Sequence, residues 1–396
     1  MMRNPKKGNV AQGLLAPRAV RSETRIWSAA ETPSAVSRLL GSIGWRSRFP
    51  ASNHSTGETV CRSSAAPCLY AVVFALSIGM WGCRGQSDTD SVTNGAAELT
   101  HVTLQLNWFP EVEHGGFYAA LLHGFYEDEG LDVEIKPGGP NLPVIQQVDA
   151  GRVDFAVSGA DRVIFGRDAG ADVVALMAAM QHSPRCILVH EESGIRSLKE
   201  LRDVTLAVGS GPAFYKYMAK KLPLENVQTV AYPGSIGPFL ANPRFSQQAY
   251  VFSEPYLAAQ KGAHPVTLMV SELGYDPYSS VLVTRGEMIQ KNTDVVGQFV
   301  RASLHGWRTY LADPVRTNRF LDEINPDMEP GVLAYGVEKM APLCLPEAMS
   351  VEEFGTMSEQ RWQTLVNQLA EIELVDASQL VAAELFTTQF LERADE

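Results

Sequence analysis

Cysteine is scarce in this chain. Five occur in 396 residues, and three of them, Cys61, Cys68 and Cys83, precede residue 84. Only Cys186 and Cys344 remain, with no CxxC or Cys/His spacing about either, which argues against a zinc or iron–sulfur site. Two buried free thiols are expected, with a mutual disulfide as the alternative. Positive charge is short as well: the net charge of −12 divides into +7 over residues 1–83 and −19 over the rest. An acidic body argues against nucleic acid or an anionic membrane surface as a partner, because both reward Lys and Arg. Long hydrophobic runs are missing too. The longest, residues 68–82, has fifteen apolar or small residues, too few to span a bilayer comfortably. No Gly-Lys-Ser/Thr follows the glycine turn at 209–211, so there is no P-loop. What is present is ordinary globular material, 45% hydrophobic and 20% charged, in a chain long enough for two cores.

The first 60 residues lack helix or strand periodicity and are rich in Ser, Arg and Ala. Arg62 then precedes the apolar run, the pattern of a signal-peptide core. Gly82 before Cys83 resembles a bacterial lipoprotein processing site, in which the cysteine is lipidated and becomes the mature N-terminus. Met80 and Trp81 depart from that pattern, and a plain cleaved signal or an uncleaved anchor are the alternatives. Residues 84–99, polar and rich in Gly, Ser and Asp, are expected to be a flexible tether.

Residues 104–135 are the most informative. Val102, Leu104, Leu106 and Trp108 alternate with other residues as in a half-buried strand. Phe117, Leu121 and Phe125 form one helical stripe, and Leu131, Val133 and Ile135 alternate again. Between the first strand and the helix lie Asn107, Trp108, Glu111, Glu113 and His114, where α/β sheets bind ligands. Further strands are expected at 154–158, 173–180, 186–190, 204–208, 249–252, 266–270 and 280–284. Helices are expected near 144–148, 161–167 and 213–221, after a capping box at Ser197–Glu200, and near 295–311 and 359–369. This order predicts a largely parallel α/β architecture in two lobes joined by two crossings. Residues 100–192 plus 285–396 would form the first lobe and 193–284 the second. A small ligand would bind between them.

Four segments carry a family resemblance: WFPEVEHGGFYAALLHGFYEDEGLDVEI (108–135), GGPNLPVIQQVDAGRVDFAVSGAD (138–161), SGIRSLKELRDVTLAVGSG (193–211) and YVFSEPYLAAQKGA (250–263). Together they resemble the periplasmic solute-binding proteins of ABC importers, in the branch of sulfonate binders and thiamine pyrimidine-precursor proteins. The resemblance covers nearly all of residues 101–310. It implies an α/β, type II periplasmic-binding-protein fold that closes over one small molecule.

Within that frame Trp108 offers a stacking face for a flat heterocycle, whereas Phe109 is expected to pack in the core. Asn107 has donors and an acceptor for a heteroaromatic edge. The resemblance places His114 on the cleft. Tyr118 borders the same pocket or packs behind it. Ser158 and Asp161 flank a strand-to-helix turn whose amides suit a polar group. Ser210 and Gly211 offer the same physics in the other lobe, where sulfonate binders meet their anionic headgroup. Ser210 is also a natural N-cap, and Pro212 a natural first-turn residue of the helix that follows. Glu254, before Pro255 at a helix start, suits an aminopyrimidine or a cationic amine. Tyr278 is a lid or hinge aromatic, and Gln181 and Ser183 near the first crossing are weaker candidates.

The reading that follows is a monomeric, periplasmic substrate-binding lipoprotein, anchored through Cys83, that passes a thiamine-related aminopyrimidine to an ABC permease and ATPase. It uses no cofactor and no metal. Riboflavin-like, sulfonate and nitrate-like ligands are alternatives. The same branch includes thiamine pyrimidine synthase, which consumes its own histidine and pyridoxal phosphate and carries a cysteine-rich, iron-linked motif. That cluster is missing here, Cys186 being the only cysteine nearby, and Lys199, Lys216, Lys220 and Lys221 sit in no diagnostic motif. A sensory or scaffold lipoprotein is a third possibility, since a fold does not fix a function.

Overall fold

The computed structural model describes residues 98–209 and 212–391. The expected leader, Cys83, the tether up to residue 97, and Ser210 and Gly211 lie outside the described residues. Ten strands form two five-stranded sheets. The first sheet has the order β2-β1-β3-β10-β4, made of β1 (Thr100–Gln105), β2 (Leu131–Lys136), β3 (Phe155–Ser158), β10 (Ser279–Arg285) and β4 (Val173–Met180). The second has the order β7-β6-β8-β5-β9, made of β7 (Gln228–Ala231), β6 (Thr205–Val208), β8 (Phe245–Tyr250), β5 (Arg185–His190) and β9 (Pro265–Met269). This is the two-lobed periplasmic-binding-protein architecture. β3 and β4 are almost continuously buried, as expected of strands covered on both faces.

The strand pairings move the expected lobe boundaries. β5 belongs to the second sheet and β10 to the first, so the crossings fall at residues 181–184 and 270–278 and not after 192 and 284. Only four residues, Gln181 to Pro184, separate β4 from β5, so this crossing reads as a tight turn between neighbouring strands of one sheet. The sheets are also mixed. β10 runs antiparallel to β3 and β4, and β5 runs antiparallel to β8 and β9, while the other pairings are parallel. Each antiparallel strand is the one that enters its sheet directly from a crossing.

Local chemistry accounts for further differences. The stripe Phe117–Leu121–Phe125 does not continue one helix, because Gly124 turns left-handed (φ 81°) and divides Gly115–Leu122 from Phe125–Asp128. The capping box at Ser197 yields only a 3-10 turn, Leu198–Glu200, in which the Glu200 carboxylate instead accepts from the Arg196 amide at 2.8 Å. Pro212 caps the helix Ala213–Lys221 from outside its first turn.

The first lobe owes its shape to a close helix pair. A Cβ at Gly115 would fall 2.0 Å from the Tyr310 ring, and one at Gly116 would fall 2.1 Å from the Trp307 ring. On the facing helix, Thr293–Ala312, a Cβ at Gly306 would meet the Gly116 carbonyl at 2.2 Å. Glycine at these positions lets the two backbones approach, and Phe117 meets Trp307 edge-on at 5.7 Å.

C-terminal segments brace both crossings. Asp276 accepts from the Ser183 amide at 2.7 Å and pairs with His182 Nδ1 at 2.6 Å, tying one crossing to the other. Arg361, on the helix Glu359–Glu371, donates to the carbonyls of Gln181 and Asp276 and lies 3.9 Å over the Tyr278 ring. Among the described residues no helix is long and apolar enough to cross a membrane.

Candidate functional site

The loop after β1 is held from below. Gln105, buried, donates its side-chain amide to the carbonyls of Leu106, Lys136 and Pro137 at 2.9–3.1 Å, joining the ends of β1 and β2. Gly138 lies so close to that loop that a Cβ would stand 2.3 Å from the Leu106 carbonyl and 2.5 Å from the Trp108 nitrogen. Its amide donates to the Trp108 carbonyl at 2.9 Å. Asn107 and Trp108 are therefore presented from a fixed backbone.

The 3-10 turn Val112–His114 completes this half of the site. His114 Nδ1 accepts from the Glu111 amide at 3.4 Å, which leaves the proton on Nε2. Nε2 then donates to Asn107 Oδ1 at 2.8 Å and lies 3.1 Å from Glu113 Oε1. Asn107 closes the ring by donating its Nδ2 to Glu113 Oε1 at 2.8 Å. Glu113 and His114 are 1% and 0% exposed, so in this arrangement His114 orients Asn107 and Glu113 and has no ring nitrogen left for a ligand.

Acidity is the electrostatic signature of the site. Burial, and then the like charges of Glu113 and Glu254, hold the Glu111 carboxyl well above its usual range. Glu254 stands on the other lobe, at the start of the helix Glu254–Gln260. Its carboxylate accepts from the Tyr232 hydroxyl at 2.9 Å and from the Tyr250 amide at 2.8 Å. Burial and the Glu254 charge together push the Tyr232 phenol up. Tyr250 feels Glu113, Asp161 and Glu111 across the lobe boundary, and burial raises it to about 12. Among the described residues no Lys or Arg forms an ion pair with Glu111, Glu113 or Glu254. No group of three His, Cys, Asp or Glu there is placed to hold a metal ion.

The remaining candidates distribute unevenly. Trp108 is half-buried, and Phe109, expected in the core, is instead 48% exposed and meets Trp108 edge-on at 5.5 Å. Tyr118 is buried against Phe320 at 5.7 Å, behind the loop, and burial pushes its phenol up. Ser158 is buried at the end of β3 and makes no side-chain hydrogen bond among the described residues. Asp161 Oδ1 accepts from the Arg162 amide at 2.8 Å. Tyr278 lies on the second crossing, where its hydroxyl accepts from the Ser358 amide at 3.0 Å. Gln181 and Ser183 lie on the first crossing. Cys186 and Cys344 are free and buried, and burial pushes both thiols up.

Tyr232, Tyr250 and Arg185 were not singled out from the sequence. Glu111 and Glu113 were seen in the loop but given no role, although two acids flanking one valine before His-Gly-Gly are a readable signal. Two surface depressions, of about 240 and 300 Å³, lie elsewhere, one at Arg167–Asp172 and the other at His190 and Lys261.

Comparisons with known proteins agree with this fold. The sequence profile of the family described as "NMT1/THI5 like" matches residues 111–317. The chain is 23% identical over 318 residues to the riboflavin-binding protein RibY of Chloroflexus aurantiacus, covering 75% of this chain and 88% of that protein. It is also 23% identical over 291 residues to the formylaminopyrimidine-binding protein of Halalkalibacterium halodurans, covering 70% and 88% respectively. Among solved structures, the alkanesulfonate-binding protein SsuA of Xanthomonas axonopodis pv. citri bound to MOPS superposes with a TM-score of 0.56 at 14% identity, covering 74% of this chain and 100% of that one.

Proposed function

The chain belongs to the NMT1/THI5-like family, and from that premise and the site we propose that it is the substrate-binding component of an ABC importer for a heterocyclic amine. The favoured ligand is an aminopyrimidine of the thiamine-precursor type. Trp108 would stack on the ring, Asn107 would meet a ring edge, and Glu254 with Glu111 would take the amino group. One observation carries the choice: the carboxyl groups of Glu111, Glu113 and Glu254 come together from both lobes, and among the described residues no Lys or Arg forms an ion pair with them. At these carboxyl groups the site favours hydrogen-bond donors and cations. The two relatives are named for heterocyclic ligands, riboflavin and formylaminopyrimidine, which supports the same class.

Delivery completes the proposal. Lipidation at Cys83 would tether a periplasmic receptor, and closure of the lobes on the ligand would present a docking surface to the permease. The synthase reading is less well supported. Lys199, Lys216, Lys220 and Lys221 are all exposed, and Lys221 is paired with Glu371 at 2.6 Å. None fits a Schiff-base lysine enclosed with its cofactor.

A thermal-shift panel on the purified protein tests the proposal, with aminopyrimidines, riboflavin, alkanesulfonates and pyridoxal phosphate. An aminopyrimidine at a hundred times its Kd should add about 2.7 kcal/mol of stability. A shift with sulfonate alone would reject the ligand class, and ligand consumed during incubation would reject binding without turnover.

A further inference from the structure

Arg185 opens β5 directly after the first crossing and pairs in register with Tyr250. Its guanidinium lies 4.2 Å from the Tyr250 ring centre and 5.2 Å from that of Phe214, so aromatic faces hold the planar group on two sides. Phe214 follows the glycine turn at the start of the helix Ala213–Lys221. Among the described residues the guanidinium has no carboxylate within ion-pair distance and donates no hydrogen bond. The five N–H groups of this half-buried arginine form a fork suited to oxyanions. Arg361 and Arg301, by contrast, have their donors satisfied by protein carbonyls or by Glu129.

A second orphan donor lies in the same neighbourhood. The Tyr275 hydroxyl is buried, the residue being 3% exposed, and has no hydrogen-bond partner. The Tyr275 ring meets that of Tyr217, which shares a helix with Phe214, at 5.2 Å, and it lies within the fields of Asp161 and Arg162 from the first lobe and of Arg185 from the second. The field of Arg185 also reaches Tyr232 and Tyr250, the two residues that donate to Glu254. One unpaired cation and one unpaired hydroxyl therefore adjoin the acidic wall.

We propose that Arg185, assisted by the Tyr275 hydroxyl, forms an oxyanion subsite that binds an acidic oxygen substituent of the ligand. The proposal rests on the reading of the site as a heterocycle receptor and narrows it. The ligand is two-ended, with an amino group at Glu111 and Glu254 and a phosphate or carboxylate at Arg185. The acids alone would repel such a substituent; Arg185 supplies the compensating charge.

The test compares three probes of one ring by equilibrium titration: 4-amino-5-hydroxymethyl-2-methylpyrimidine, its phosphate ester, and the matching 5-carboxylic acid. The wild-type protein should bind one of the acidic forms at least about 10-fold more tightly than the alcohol, the gain of a charge-assisted pair. The preferred form distinguishes phosphate from carboxylate. Arg185→Gln should abolish that preference and leave affinity for the alcohol within about 2-fold. Tyr275→Phe should reduce it in part. Equal affinity of the wild-type protein for all three, or an equal loss for all three in Arg185→Gln, would overturn the subsite. A separate arm uses inorganic phosphate against chloride at matched ionic strength. A saturable rise in Tm that Arg185→Gln removes upholds the subsite even if no pyrimidine binds, in which case the ligand reading falls alone. An identical response in both proteins refutes it.

Discussion

The two halves of the site are built differently. On the first lobe Asn107, Glu113 and His114 satisfy one another in a closed ring of hydrogen bonds, and the turn rests on glycines that admit no side chain. On the second lobe Glu254 is held by two donors, but Arg185 and the nearby Tyr275 hydroxyl hold nothing. A saturated network fixes geometry and offers few free groups; an unsaturated one offers groups whose partners must come from elsewhere. On the proposed reading the first half would set where a ring lies, and the second which substituents it carries.

The strongest challenge to this contrast is to disturb the locked half from behind. Gly116→Ala drives a methyl into the Trp307 ring and should cost about 1–3 kcal/mol, read as a lower urea midpoint at unchanged slope. A neutral substitution would mean the helix pair is not close-packed. Next, Glu254→Ala removes the acceptor of Tyr232 and Tyr250 and should weaken aminopyrimidine binding by about 10- to 100-fold, the worth of a charged hydrogen bond. Trp108→Ala should weaken it about 3- to 10-fold, the scale of one aromatic stack. Unchanged affinity in both variants would move the pocket elsewhere.

The smallest effect concerns pH. Because burial and its acidic neighbours hold the folded Glu111 carboxyl well above the usual carboxylate range, the proton favours the folded state. That contribution is complete below about pH 4.5 and is lost as pH rises through the raised value. Glu111→Gln should flatten this slope, seen by comparing urea midpoints at several pH values, and should leave the protein at least as stable near neutrality. A slope identical to that of the wild type would show that Glu111 is not the titrating group.

Much of the first lobe was legible: β2 alternates and β3 and β4 are short apolar runs, and all three fall where the pattern places them, while β1 ends at Gln105, before the expected Leu106 and Trp108. The second lobe was harder. β7 is exposed along its whole length and so has no apolar face to read. β8 buries Ser246 and Gln247, and these polar residues disguised it, so that only its last two residues were anticipated within 249–252. The crossings were misplaced because β4 passes into β5 over four residues. The positions of Trp108, just past β1, and of Glu254, first in its helix, were readable from the sequence. Arg185 was not, since its significance lies in partners it lacks, and only three dimensions reveal that.

The most direct measurement is a calorimetric titration of the purified protein with an aminopyrimidine and with an alkanesulfonate of similar size, in two buffers of different ionisation enthalpy. A ligand amine settling against Glu111 should lower that raised carboxyl and expel its proton. The account predicts one-to-one binding of the aminopyrimidine, a buffer-dependent heat that reports proton release, and recovery of the ligand unchanged. Tight binding of the sulfonate, with no proton exchanged and no response to the aminopyrimidine, would contradict it.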